Sequence, residues 1–257
     1  MRRHLRQVLA LVLISSLVSV TLWHDTAMAA TTTCMPDPNV EVSTVDGRII
    51  NSDAVWSTAR SAAAGTSAND SANIMNVNAQ EAGNYFIYRS IVLFDCSAIP
   101  DTDVISAATI TLTSDITRDG GEANSFVVIV GASNPASNTA VVADDFDQVG
   151  TTTMSDSADL TSWTSGTQFV FTLNASGIAN VSKTGISKFG IKTGHDVNDV
   201  APGAGVESGI DIRSADYAGT SSDPLLTVTH APASPFVPIL TEDITFIAKP
   251  EPLFEFA

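Results

Sequence analysis

Short apolar runs, rather than long amphipathic ones, set the pattern of this chain. They fall at residues 48–50, 73–77, 85–95, 106–114, 125–131, 168–173, 188–193, 209–214 and 225–230. Each is rich in Val, Ile, Thr or Phe, and the stretches between them carry Gly, Asn, Asp, Ser and Pro, the punctuation of strands and turns. Thr109-Ile110-Thr111-Leu112-Thr113 alternates strictly, which predicts Ile110 and Leu112 on a buried face and the threonines on a wetter one. The run at 85–95 is apolar at both parities and reads as a central strand covered on both sides. Only 177–184, with Ile178 and Val181 three apart, reads as a helical turn. The pattern predicts an all-β fold, an antiparallel two-sheet β-sandwich of jelly-roll type.

Both ends depart from this pattern. Met1-Arg2-Arg3-His4-Leu5-Arg6 precedes an apolar run from Val8 to Trp23, and Ala27-Met28-Ala29-Ala30 follows it. Positive charge, apolar stretch and small-residue site in that order make a secretory signal. The alternative is an uncleaved anchor, since a run of this length just about spans a bilayer. The A-x-A motif and the switch to Thr31-Thr32-Thr33 favour cleavage after Ala29 or Ala30. The expected organisation is a signal peptide at 1–30, one sandwich domain at 31–231 and a tail at 232–257. No membrane span remains after cleavage, and the expected location is secreted or at the cell surface. The tail is punctuated by proline yet hydrophobic, and Ile244-Thr245-Phe246-Ile247 reads as a strand. Ile244, Phe246, Phe254 and Phe256 are thus candidates for assembly with copies of the same chain by strand addition. A tail folded back on its own domain is the alternative.

Charge narrows the functional classes. The formal net charge is -16, and it becomes -18 once Arg2, Arg3, Arg6 and Asp25 leave with the signal. Such acidity excludes nucleic acid as a partner. Two cysteines, Cys34 and Cys96, remain, and an oxidising exterior makes a disulfide their default state, with two separate thiols as the alternative. The bond would close a loop of about 60 residues, worth ~4 kcal/mol in the chain-entropy description.

Two stretches carry a family resemblance. Arg89-Ser90-Ile91-Val92-Leu93-Phe94-Asp95, then Ser97-Ala98-Ile99-Pro100, then a strand through Thr109-Ile110-Thr111-Leu112, is a strand, an FD corner, a short turn and a second strand. Ile212-Arg213-Ser214-Ala215 followed by Asp223-Pro224-Leu225-Leu226-Thr227-Val228-Thr229 resembles a closing strand pair. Together they resemble the DNRLRE family and the disaggregatase-related and carbohydrate-binding modules that share its jelly-roll pattern. The resemblance covers most of 46–230 and implies a secreted, non-catalytic module found beside polysaccharide-acting domains or in surface and filament proteins. Physically, Phe94 and Ile99 would plug one end of the sandwich and Asp95 would cap the turn before Pro100. Arg89, mid-strand among apolar neighbours, requires a partner, and a structural ion pair is the main reading.

Candidate chemistry lies in the loops. Calcium is the best-suited cofactor, because hard cations need several oxygen ligands. Three acidic clusters could supply them: Asp115, Asp119 and Glu122; Asp144, Asp145 and Asp147; Asp196, Asn198 and Asp199. None has the spacing of an EF-hand, and turn formation is the ordinary role of such residues. Trp56, Trp163 and Tyr217 sit in loop-like surroundings and are candidate faces for stacking a sugar, with core plugging as the alternative. The chain carries no H-E-x-x-H, G-x-S-x-G, P-loop or post-strand G-x-G-x-x-G motif, and an enzyme is not expected. The expectation is a non-catalytic module that binds extracellular glycan or matrix. A structural subunit of a surface layer or filament, joined through its tail, is the alternative.

Overall fold

The computed structural model describes residues 28–133 and 135–233. The expected signal peptide up to Ala27 and the assembly residues Ile244, Phe246, Phe254 and Phe256 lie outside the described residues. The described chain is mostly β. Its strands are β1 (Ala30–Cys34), β2 (Asp46–Asp53), β3 (Ser67–Asn69), β4 (Ile74–Glu81), β5 (Tyr85–Asp95), β6 (Asp103–Arg118), β7 (Phe126–Ala132), β8 (Val149–Asp159), β9 (Gln168–Thr172), β10 (Ile186–Thr193), β11 (Glu207–Arg213) and β12 (Leu225–Pro232). Three short helices interrupt them: α1 (Trp56–Arg60), α2 (Ala175–Asn180) and α3 (Gly194–Asn198).

The strands join in one curled antiparallel sheet in the order β1-β12-β6-β11-β4-β5-β10-β7-β8, with β9 on β6, β2 on β5 and β3 on β2. The curl has an identifiable cause in β6. Its first part pairs with β12 and β9, and from Ser114 onward it pairs with β11 instead, so one long strand belongs to both ends of the sheet. β5 is divided in the same way: it pairs with β4 over Tyr85–Tyr88 and with β10 from Ser90 onward, while β2 runs beside it throughout that stretch.

All nine apolar runs read from the sequence are strands. Ile110 and Leu112 are buried as expected and Thr109 and Thr111 are less buried, but Thr113, expected on the wetter face, is buried as well. The helical turn expected at 177–184 forms slightly earlier, as α2, where the Asn174 side chain accepts a hydrogen bond from Gly177 N at 3.1 Å and caps it. Three strands escape a reading by apolar alternation. β8, with the sequence VGTTTMSDSAD, exposes most of its side chains at a sheet edge; β1 is a threonine run beside the expected cleavage site; β3 has three residues.

Two apolar cores result, on opposite faces of β5 and β7. Val92 and Phe94 point into an inner core shared with Ile110, Leu112, Phe171, Phe189, Ile210 and Leu226. Ile87, Ile91 and Leu93 point into an outer core with Ile49, Val128, Val130 and Phe146, covered by α1 and by loops. This is the two-sided strand that the apolar run at both parities predicts. Cys34 at the end of β1 is bonded to Cys96 just after β5. Phe94 and Ile99 are buried at the corner, and Asp95 Oδ1 accepts a hydrogen bond from Ser97 N at 2.9 Å ahead of exposed Pro100.

Candidate functional site

Alternation places the site. In β4 (IMNVNAQE) the apolar Met75 and Val77 face the inner core, so Asn76 and Asn78 must face the other way. In β11 Ile210 and Ile212 face inward, which turns Glu207 and Asp211 to that same outer surface. β11 pairs with β4 so that Asp211 lies opposite Asn76 and Gly209 opposite Asn78. Tyr88 of β5 is opposite Asn78 and also opposite Ile50 of β2; Arg48 from β2 and Arg118 from β6 complete the ring. These side chains line an open groove of about 250 Å³ that five strands build.

The groove is held by a polar network. Arg118 donates two hydrogen bonds to Asp211, Nη1 to Oδ1 and Nη2 to Oδ2, both 2.8 Å long, and its Nε lies 3.0 Å from Glu207 Oε1. The hydrogen bond to Asp211 is the main reason the guanidinium sits above its ordinary pKa. Asn78 donates from Nδ2 to Glu207 Oε1 at 2.7 Å, Asn76 donates to Asp211, and Arg48 donates to Asn76 Oδ1. Two atoms are left over. Asn78 is 5 % exposed and its Oδ1 is buried without a partner, as is Arg48 Nε. Gly209 makes the room: a Cβ there would come within 2.6 Å of Asn78 Oδ1. The side chains of Arg48, Asn76, Asn78, Arg118, Glu207 and Asp211 line the recess with donors and acceptors, complementary to a ligand carrying hydroxyls, which both donate and accept. A larger cavity of about 410 Å³, beside β7 and β8, has Lys188 as the one charged side chain in its lining and gathers no comparable polar network.

The aromatic residues expected to stack on sugars occupy other positions. Trp56 is 8 % exposed, packs edge-on against Tyr85 and donates from Nε1 to Asp199 Oδ1 at 3.0 Å. Trp163 is 4 % exposed, packed on Phe169 and Phe171. Both indoles take the alternative role of core plugs: Trp56 opens α1 over the outer core, and Trp163 packs in the inner core. Tyr217 is half-buried, with the Arg213 guanidinium 4.3 Å from its ring centroid. The aromatic residue that does line the groove, Tyr88, lies within the central strand.

The acidic clusters do not converge either. Among the described residues no group of three His, Cys, Asp or Glu side chains is arranged to hold a metal ion. Asp115 pairs with Arg213 at 3.5 Å, Asp119 accepts from Gly121 N at 2.9 Å, and Glu122 accepts from Gly203 N at 3.2 Å. Asp145 accepts from the backbone of Ala136 and Val142, Asp147 accepts from Gln148, and Asp144 is exposed. Asn198 donates to Asn124, and Asp199 receives Trp56. These residues shape turns and join loops.

Asp196 has the strongest role of all. Arg89 donates to it from Nε at 2.7 Å and from Nη2 at 2.9 Å, and also donates to the carbonyls of Phe146 at 2.7 Å and Arg60 at 2.8 Å. Burial pushes the Asp196 carboxyl upward, but Arg89, Lys192 and Arg60 together hold it below the usual carboxylate range. The ion pair required by Arg89 therefore pins α1, α3 and the loop at Phe146 onto the outer core.

Compared with protein-family models and with curated proteins, the chain matches none of them. The groove lies on strands, not in the loops that carry the candidate residues read from the sequence. Its signal was available in strands, as Asn-x-Asn in β4 and Glu-x-x-x-Asp in β11, polar residues at the parity opposite the core.

Proposed function

We propose that this protein is a secreted, non-catalytic module that binds a neutral, hydroxyl-rich glycan in the groove across β2, β4, β5, β6 and β11, on a sandwich of jelly-roll type. One observation carries the reading: Arg48, Asn76, Asn78, Arg118, Glu207 and Asp211 line one recess with donors and acceptors fixed in a single hydrogen-bonded network. Tyr88 and Ile50 supply the apolar surface that a sugar ring needs beside its hydroxyls. Arg118 pairs with both Asp211 and Glu207, and the two carboxylates equal Arg118 and Arg48 in number, which favours a neutral ligand over a polyanion. Glu207 and Asp211 are both taken up by Arg118 and the asparagines, so the groove offers no free carboxyl pair of the kind glycoside cleavage uses. The resemblance to DNRLRE and carbohydrate-binding modules agrees with this reading, as does the export signal expected at the N-terminus.

The test is a neutral-glycan array followed by calorimetry on the hits. Asn78→Ala and Tyr88→Ala should each weaken binding by about tenfold or more, the loss of roughly one good polar or stacking contact. A protein that binds no neutral glycan, or binds one equally well in both variants, would remove the groove from consideration. Higher oligomers that disappear on deletion of residues 232–257 would then favour the assembling subunit.

A further inference from the structure

A second recess lies under α1, and its chemistry is the opposite of the groove's. Lys192 is on the face of β10 that looks into the outer core, and Arg89 is on the same face of β5. Extending the β5–β10 register one residue beyond the Ser90–Ile191 pair sets Lys192 opposite Arg89, two like charges side by side on a buried surface. Arg60 from α1 joins them. The single buried carboxylate among these cations is Asp196, and it is unequally shared. Arg89 takes both oxygens in short hydrogen bonds, Arg60 Nε reaches Oδ1 at 3.4 Å, and Lys192 Nζ stands 3.5 Å from Oδ1, the outer limit of hydrogen bonding.

Lys192 is thereby under-compensated. An ammonium has three donors, and among the described residues its one partner is this distant oxygen. Its side chain is 2 % exposed, yet it lines a cavity of about 320 Å³ together with Arg60, Arg89, Ser61 and Thr151. Gly150 and Thr151 on the cavity wall fall where the β7–β8 register shifts between the Val130–Thr153 and Ala132–Val149 pairs. Two further carboxylates lie close by. Asp147 lines the same cavity, exposed and accepting a hydrogen bond from Gln148, and Asp199 is exposed and 3.5 Å from Arg60 Nη1. Water screens both more than it screens the buried charges. Burial pushes the Lys192 ammonium down to about 8, with Asp196 opposing the shift and Arg89 and Arg60 adding to it.

We propose that this recess is a binding site for a small oxyanion, a sulfate or carboxylate group, held by Lys192 and Arg60 with Arg89 behind them. The anion would supply the partner that Lys192 lacks and balance the surplus of buried positive charge. The group can come from a free inorganic ion or from an acidic sugar, and the site does not depend on the groove reading.

The experiment titrates the whole purified protein with sodium sulfate, sodium glucuronate and glucose at constant ionic strength, by calorimetry and by NMR of the lysine side chains. Sulfate and glucuronate are expected to shift the Lys192 resonance, which then titrates at higher pH, whereas glucose leaves that resonance unmoved. Binding of glucuronate alone assigns the site to an acidic sugar, and binding of sulfate alone assigns it to a free ion. Lys192→Met and Arg60→Gln should each weaken the anion by about tenfold, while Asn78→Ala leaves it unchanged. Absence of anion binding, or binding equal in the wild type and in Arg60→Gln, overturns the proposal. If Lys192→Met fails to fold, Arg60→Gln and the wild-type lysine titration decide the matter.

Discussion

The inner and outer cores share strands β4, β5, β7 and β8, yet they are closed by different physics. The inner core is closed by apolar side chains alone: Phe94, Phe171 and Phe189 interlock with aliphatic residues from strands on both sides, and a disulfide ties its margin. The outer core is roofed by loops and the short helices α1 and α3, and what fastens the roof is charge. Arg89 reaches through the apolar layer to Asp196, to the carbonyls of Phe146 and Arg60, and over the Phe146 ring at 3.9 Å. Packing of strands on strands is redundant, since many contacts share the load. A loop roof has few contacts, so one buried ion pair becomes the fixing point of three segments.

That difference predicts unequal sensitivity. Asp196→Ala should be the most damaging single change, costing up to about 5 kcal/mol in urea unfolding because it leaves buried cations without their partner. Replacing Arg89, Lys192 and Asp196 together by apolar residues of similar volume should cost far less, and an equal or larger loss would show that the roof needs charge for more than neutralisation. Next in size is the margin of the inner core. Replacing Cys34 and Cys96 by serine should cost about 4 kcal/mol in the chain-entropy description of a 62-residue separation, with the native fold kept, as read by circular dichroism and thermal unfolding.

Lys192 separates the two regions by pH. Its folded-state value of about 8 lies below the ordinary lysine value of 10.5, so the unfolded chain binds more protons between the two. Stability of the wild type should therefore rise with pH from about 8 to 10.5, by about 3 kcal/mol relative to Lys192→Met. Parallel profiles for the two proteins would place the ammonium in water rather than in the outer core. The smallest effect belongs to Trp56→Phe, which keeps the ring against Tyr85 and loses the hydrogen bond to Asp199; about 1 kcal/mol is expected, with no change in glycan affinity. Loss of glycan binding in this variant would return the loop indole to the ligand site.

The fold was far more legible than the site, and for a physical reason. Burial imposes parity on strands, and parity is written locally, so Ile110, Leu112 and the two-sided run through Phe94 announce themselves. Arg89 announced its need for a counter-ion in the same way. The identity of that counter-ion was not readable, because Asp196 is 107 residues distant and looks like any other loop aspartate. The groove failed to be read for the same reason: Arg48, Asn78, Tyr88, Arg118 and Asp211 come from five strands, and only register brings them together. Trp56 and Trp163 misled because loop residues in sequence became cover in space.

The pairing of β1 with β12 sets Ala30 directly opposite His230. Antiparallel partners lie only about 5 Å apart, so whatever precedes the domain and whatever follows it leave from one spot on its edge. A short bridge between residues 30 and 233, with new ends opened in an exposed loop, should give a circular permutant with the same sheet. It follows that a fusion at either end hangs from the same corner of the molecule.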